Sequence, residues 1–231
     1  MQKLGIFIIA ILLFSACRYK SGSGNIVTEV RETGSFTGIR VSGGFEVELR
    51  HAGNEEVIVE ADDNIIKYIN TNVRKGELVI NLDDLNVHDA HLKVLISAPS
   101  INSIKVSAGS DFIAKDELKS DGIIILKASS GSKIKTAVDA SGVEADASSA
   151  GEISISGRTK DFNAETSSGA SILAKELLSE NTVVQASSGS TAKVHASVKL
   201  EATASSGANV SYRGAANAQK STSSGGVVEK E

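Results

Sequence analysis

Residues whose chemistry could define a function are few and scattered in this sequence. The only cysteine, Cys17, follows Ser15 and Ala16 at the end of an apolar run, Leu4 to Phe14, which Lys3 precedes. A positive start, a short apolar stretch and small residues before a junction form an export leader. The run is shorter than the roughly 20 residues that span a bilayer. A cysteine at such a junction has the pattern of a bacterial lipobox, with Phe14 in place of the more usual leucine. The expected chemistry is lipidation of Cys17, and several acyl chains on one residue anchor firmly where a single chain binds weakly. Residues 1–16 are then the leader and residues 17–24 a short polar tether. Arg18 stands where an aspartate would signal inner-membrane retention, so the outer membrane is the expected destination. A free thiol, or a cysteine incidental to an ordinary leader, are the plainer readings. A lone cysteine also excludes an internal disulfide.

The remaining candidates are weaker. His88, Asp89 and His91 could approach a metal, but no third spaced ligand follows and the flanking residues read as strand. His51 and His195 stand alone. The pairs Asp62/Asp63 and Asp83/Asp84 could suggest calcium or acid–base work on a glycoside. No calcium-loop pattern surrounds either, so one is expected to cap a helix and the other to make a turn. Serine is abundant without the G-x-S-x-G elbow of a hydrolase. The formal charge of −4 and the lack of a basic run leave no nucleic-acid footprint. No metal, cofactor or catalytic residue is therefore assigned.

The elements that would position any site are more legible. Aromatic residues make up 4% of the chain, with no tryptophan and one proline. Burial must come from Val, Ile, Leu and Ala, which suits closely spaced strands. A motif of the form S-S-G recurs, with its first serine at Ser107, Ser129, Ser148, Ser167, Ser187, Ser205 and Ser223, at intervals of 22, 19, 19, 20, 18 and 18 residues. A period near twenty marks a stacked repeat architecture, which a serine-glycine linker has no reason to keep.

Before each motif, apolar and polar residues alternate: Ile124, Leu126 and Ala128; Val143, Ala145 and Ala147; Val198, Leu200, Ala202 and Ala204. Period two means strands with one face inward. Carried through the motif, the same parity turns Ser130, Ser149, Ser168, Ser188 and Ser206 inward as a column of hydroxyls. Gly131, Gly169, Gly189, Gly207 and Gly225 then form corners that need a positive φ or a close approach. The fold expected is all-β, a parallel β-solenoid of about seven coils over residues 107–231. Residues 25–106 form an irregular β-rich first part of the same domain. There Val41, Phe45, Val47 and Leu49 point inward, and Ile65, Ile66 and Ile69 after Asp62 predict one short helix.

The stretches GSGNIVTEVRETGSFTGIRVSGGFEVEL and VIVEADDNIIKYINTNVRKGELVINL, followed by serial S-S-G coils, resemble the family called putative auto-transporter adhesin, head GIN domain. The ordered pair F-x-G-I-x-V-S-G and V-E-A-D-D-N is the specific part, and the resemblance covers residues 24–225. It implies an exported, often lipid-anchored protein of Bacteroidetes type with a β-helix fold, and it carries no catalytic residues. The expected role is a non-enzymatic, adhesin-like contact module in the cell envelope, with a membrane partner through Cys17 and a glycan or surface-protein ligand. A carbohydrate-active or glycan-binding protein on the same scaffold is the first alternative. It would need outward Asp, Lys or Arg on adjacent coils, such as Lys127, Glu144, Asp146 and Lys193, and the solenoid half offers only Phe112, Phe162 and Tyr212 for sugar stacking. A self-associating structural envelope protein, a homo-oligomer, is the second.

Overall fold

The computed structural model describes residues 19–83 and 85–231. Residues 1–18, Cys17 and the leader among them, and Asp84 lie outside the described residues. The strands of the first part are Tyr19–Ser21 (β1), Ile26–Arg31 (β2), Gly38–Ser42 (β3), Glu46–His51 (β4), Glu56–Asp62 (β5), Ile69–Arg74 (β6), Glu77–Leu82 (β7), Asn86–His88 (β8) and Leu92–Ala98 (β9). Those of the second are Ser103–Ser107 (β10), Asp111–Ala114 (β11), Leu118–Ala128 (β12), Lys133–Ala147 (β13), Glu152–Thr166 (β14), Ser171–Ala186 (β15), Thr191–His195 (β16), Lys199–Ala204 (β17), Asn209–Arg213 (β18), Asn217–Thr222 (β19) and Val227–Lys230 (β20). The described residues are all-β, 67% strand, and their parallel coils stack into a β-solenoid of about six turns. Seven S-S-G corners from Ser107 to Ser223 enclose six full periods, which accounts for the difference from seven coils.

Each coil lays its side chains on those of the coil before. On one wall Val106, Ala128, Ala147, Thr166, Ala186 and Ala204 follow one another in register. On another the series is Val47, Phe112, Ile134, Ile153, Ile172, Ala192 and Val210. All of these residues are buried, and the core runs without interruption from Phe36 to Tyr212. Small residues predominate on the strand entering each corner, and larger aliphatics on the strand leaving it. Where the coil bends, the inward alternation breaks: Gly142 and Val143 are adjacent and both buried. At another bend Gly157 has φ +107°, and a Cβ there would collide with the Val138 carbonyl oxygen. Val198, expected inward, is 58% exposed because Ser197 and Val198 form a bend.

The first part closes one end of the stack. β3 pairs in parallel with β10 on one side and β7 on the other, while β4 lies between β11 and β9. The chain thus lays down the β3–β4 coil first and then builds β7 and β9 beneath it. Beyond them the pairing turns antiparallel: β6 covers β7, β5 covers β9, and β2 covers β5. Antiparallel strands end the parallel stack, which would otherwise present open edges. At the other end, Lys220 and Lys230 fall in register with the buried Ala202 and Tyr212. The Lys220 ammonium lies 4.7 Å from the centre of the Tyr212 ring. Inward-pointing charge of this kind discourages strand pairing at an edge.

The short helix is corrected by the structure. Only Ile66–Tyr68 is helical, a single 3-10 turn, and β6 begins at once. Ile65, Ile66 and Ile69 are buried as their spacing requires, but one tight turn followed by a strand buries the same three positions. Asp62 does not cap it: no side-chain cap bond exists, and the N-cap is Ile65.

Candidate contact surfaces

The S-S-G corner is a two-residue turn. In the Ser187 corner, Ser188 and Gly189 have φ +53° and +68°, and the Ser190 amide donates to the Ser187 carbonyl at 3.2 Å. Two successive positive φ values are the mark of a type I′ connection. Ser130, Ser149, Ser168 and Ser206 share this conformation, with φ between +49° and +54°. This corrects the expected inward column: all five second serines are exposed. The turn consumes the second serine and the glycine, so inward parity resumes on the residue after the glycine. Those residues, Ser110, Ser132, Ala170, Ser190 and Ala208, are the buried ones. A hydroxyl column does exist, displaced and incomplete. Ser132 Oγ donates to the Val106 carbonyl at 2.8 Å and accepts from the Ser129 amide at 3.0 Å. Ser190 repeats this with Thr166 and Ser187.

Corners of successive coils are also joined. Gly131 N–H donates to the Ser149 carbonyl, Gly169 to Ser188, Gly189 to Ser206 and Gly207 to Ser224, at 3.0–3.1 Å. Ser130, Gly131, Ser149, Ser168, Gly169, Ser188, Gly189, Ser206 and Gly207 therefore form one continuous exposed ridge, joined coil to coil through glycine amides and serine carbonyls.

The outward side chains of the walls stack in columns as well. One runs Lys105, Lys127, Asp146, Glu165, Gln185, Thr203, Ser221. Neighbours in such columns make ion pairs between coils. Lys127 Nζ reaches Asp146 at 3.1 Å, and Arg158 donates to Asp139 with two nitrogens at 2.9 and 2.6 Å. The Arg158 hydrogen bond holds the Asp139 carboxyl below its usual range. On the first part, Lys93 and Lys115 bracket Glu48 at 3.2 and 3.4 Å, and the bond from Lys93 lowers its pKa. Burial works against the Glu77 charge, but Arg40 and Lys105 outweigh it and lower this carboxyl too. Ion pairing thus favours the ionised form of Asp139, Glu48 and Glu77. Exposed pairs of this kind add little to stability, because water screens them and two long side chains must be held still.

Among several surface concavities, one cleft of about 390 Å³ lies where β4 and β9 end against the turn before β12. Arg50, His51, Ser100, Asp116, Glu117 and Lys119 supply its polar lining, and the His51 amide donates to Asp116 Oδ2 at 2.9 Å. Sequence spacing gave no sign of it, because His51 and Asp116 come from coils 65 residues apart. The other histidines do not converge. His88 bonds to Ser21 Oγ at 2.9 Å, and His91 lies 3.9 Å from Glu60. Among the described residues no three His, Cys, Asp or Glu side chains form a metal-sized group. Phe112, Phe162 and Tyr212 are all buried.

The V-E-A-D-D-N stretch has a role that its composition did not reveal. Asp62 is 2% exposed. Its Oδ1 accepts from the Gly24 amide and its Oδ2 from the His91 amide, both at 2.7 Å. Asp63 accepts from Ser23 Oγ at 2.6 Å and Asn25 Nδ2 at 2.8 Å. The bonds from Ser23 and then Asn25 lower its pKa. Asn64 Nδ2 donates to the Ser21 carbonyl at 2.9 Å. Three consecutive side chains thus fasten residues 21–25, and β1 pairs with β8. Much of the segment expected as a tether is ordered structure.

Solved structures share this architecture. A protein of Bacteroides fragilis NCTC 9343 described as a putative adhesin superposes with a TM-score of 0.83 at 16% identity, over 91% of this chain and 98% of that one. A putative adhesin of Parabacteroides distasonis ATCC 8503 gives 0.75 at 21% identity, over 92% and 100%. A putative lipid binding protein of the same organism gives 0.76 at 17% identity, over 93% and 100%. No curated protein matches the sequence. The model of one family, putative auto-transporter adhesin, head GIN domain, matches residues 35–216, and the chain belongs to that family.

Proposed function

We propose that the protein is an exported, lipid-anchored contact module of the cell envelope, adhesin-like and without catalytic activity. The observation that carries this reading is the outward surface: polar and charged side chains repeat from coil to coil at a pitch of about 4.8 Å. A stiff ladder of this kind presents many weak, evenly spaced contacts to a polymeric or clustered partner, and affinity then comes from their number. Export and acylation of Cys17 follow from the leader, and the outer membrane from Arg18. The test is binding of the purified chain to a panel of polysaccharides and surface proteins, with Asp146 and Glu165 replaced by their amides. Saturable binding weakened by these changes supports the reading. Release of shortened sugars would overturn it.

The cleft favours a second reading, a carbohydrate-active or sugar-binding site. Its size falls within the range of small-ligand pockets, and it offers two carboxylates, an imidazole and two cations. Loss of sugar turnover or sugar binding in Glu117→Gln and His51→Ala, with no change in Asp146→Asn, would establish this reading.

A further inference from the structure

The fastening of residues 19–25 fixes how close the solenoid must come to a membrane. Strand β1 starts at Tyr19, two residues beyond Cys17 in the sequence. Two residues span at most about 7 Å. Acyl chains on Cys17 cannot enter a bilayer unless the start of β1 lies at the headgroup layer. The Asp62, Asp63 and Asn64 bonds prevent the following residues from peeling away to lengthen the reach.

The surface at this point suits that position. Tyr19 is 69% exposed, the one aromatic among the large exposed apolar side chains of the described residues. Lys20 and Lys67 place their ammonium groups 5.0 and 5.3 Å from the Tyr68 ring. Tyrosine and lysine belong at the boundary between lipid and water, with apolar bodies toward the chains and polar tips in the headgroups. Asp63 and Asp83 are committed to Ser23, Asn25 and Asn70, while the Asp89 side chain is 96% exposed. Lys20 donates to the Asn64 carbonyl at 2.9 Å and acts on the Asp63 carboxylate, so the contact needs no anionic lipid.

We propose that this end of the first part is a bilayer-contact surface: Tyr19, Lys20, Lys67 and Tyr68 sit in the headgroup layer, and the clamp fixes the tilt of the solenoid on the membrane. The inference rests on lipidation of Cys17, proposed above, and deepens it by naming the surface that touches lipid.

The chain has no tryptophan, so Tyr19→Trp introduces a single fluorescent reporter. The acylated protein, isolated from membranes of an exporting host, is placed in phosphatidylcholine vesicles carrying brominated acyl chains. The indole of Tyr19→Trp is expected to be quenched several-fold more than that of the distal variant Thr203→Trp, equally at low and high salt. Ten Gly/Ser residues inserted after Arg18 should bring quenching in Tyr19→Trp down to the Thr203→Trp level. Equal quenching in the two variants, with the protein bound to the vesicles, would overturn the contact surface and leave the anchor standing. An unmodified mass for Cys17 in the membrane-derived protein would overturn the anchor and the inference with it.

Discussion

The two parts of the molecule reach the same cross-section by different means. In the repeats, corners close mainly through backbone bonds: an amide three residues on, and a ladder of Gly N–H to Ser carbonyl bonds between coils, with a buried serine hydroxyl added at Ser132 and Ser190. The side chain of the second serine does nothing there that another small residue could not do. In the first part the chain reverses direction, strands pair both ways, and side chains take over. Asp62, Asp63, Asn64 and Arg31 bond to segments 35 to 43 residues distant. A periodic backbone supplies its own partners, and an aperiodic one must recruit carboxylates and amides. Tolerance to substitution should follow the same division.

The largest effect should come from the element that both parts share, the core. Ile153 is fully buried between Ile134 and Ile172. Ile153→Ala is expected to cost about 3–4 kcal/mol, read as a lower urea midpoint. Asp62→Ala should cost about 3 kcal/mol by stranding two amides and should open residues 19–25 to proteolysis. Ser188→Asn, in a corner, should stay within about 0.5 kcal/mol. Equal losses from these two substitutions would break the comparison.

Two smaller changes sharpen it. Ala150 stands at φ +60° where the other S-S-G corners carry glycine, so Ala150→Gly should stabilise by about 1 kcal/mol. Thr166 breaks the small-residue wall with a buried hydroxyl that has no partner. Thr166→Val keeps its shape and should stabilise by about 1 kcal/mol. Thermal unfolding of both variants checks these signs.

The smallest effect is a pH dependence. The Asp63 pKa is lowered from 3.8 by its hydrogen bonds, so its stabilisation is fully present above 3.8 and is lost as pH falls through the depressed folded value. The stability gap between wild type and Asp63→Asn should therefore shrink below pH 3.8. A gap that widened would reverse the sign.

Period-two alternation identified the inward residues of the repeat walls, Val198 in its bend excepted, because a strand has no other way to keep one face dry. It failed where the backbone entered positive φ. The two-residue turn cancels the parity of Ser130 and its counterparts, and no pattern of hydrophobicity records a dihedral angle. Ile65, Ile66 and Ile69 misled for a related reason: a helix and a tight turn before a strand bury the same positions. The clamp was hidden because its halves lie far apart along the chain and carry ordinary turn residues. The A-D-D-N and G-S-G-N stretches, both within the segments that resemble the family, were the available signal, and they proved to be the two halves of one contact.

The register that joins coils treats Ser148 and Ser167 as equivalent positions. A segment from one to the other can therefore be deleted or duplicated, and the strands on either side will meet the partners they expect. Length becomes a freely adjustable dimension of this protein, open to tandem gene duplication or loss in steps of one coil, with the clamp end left untouched.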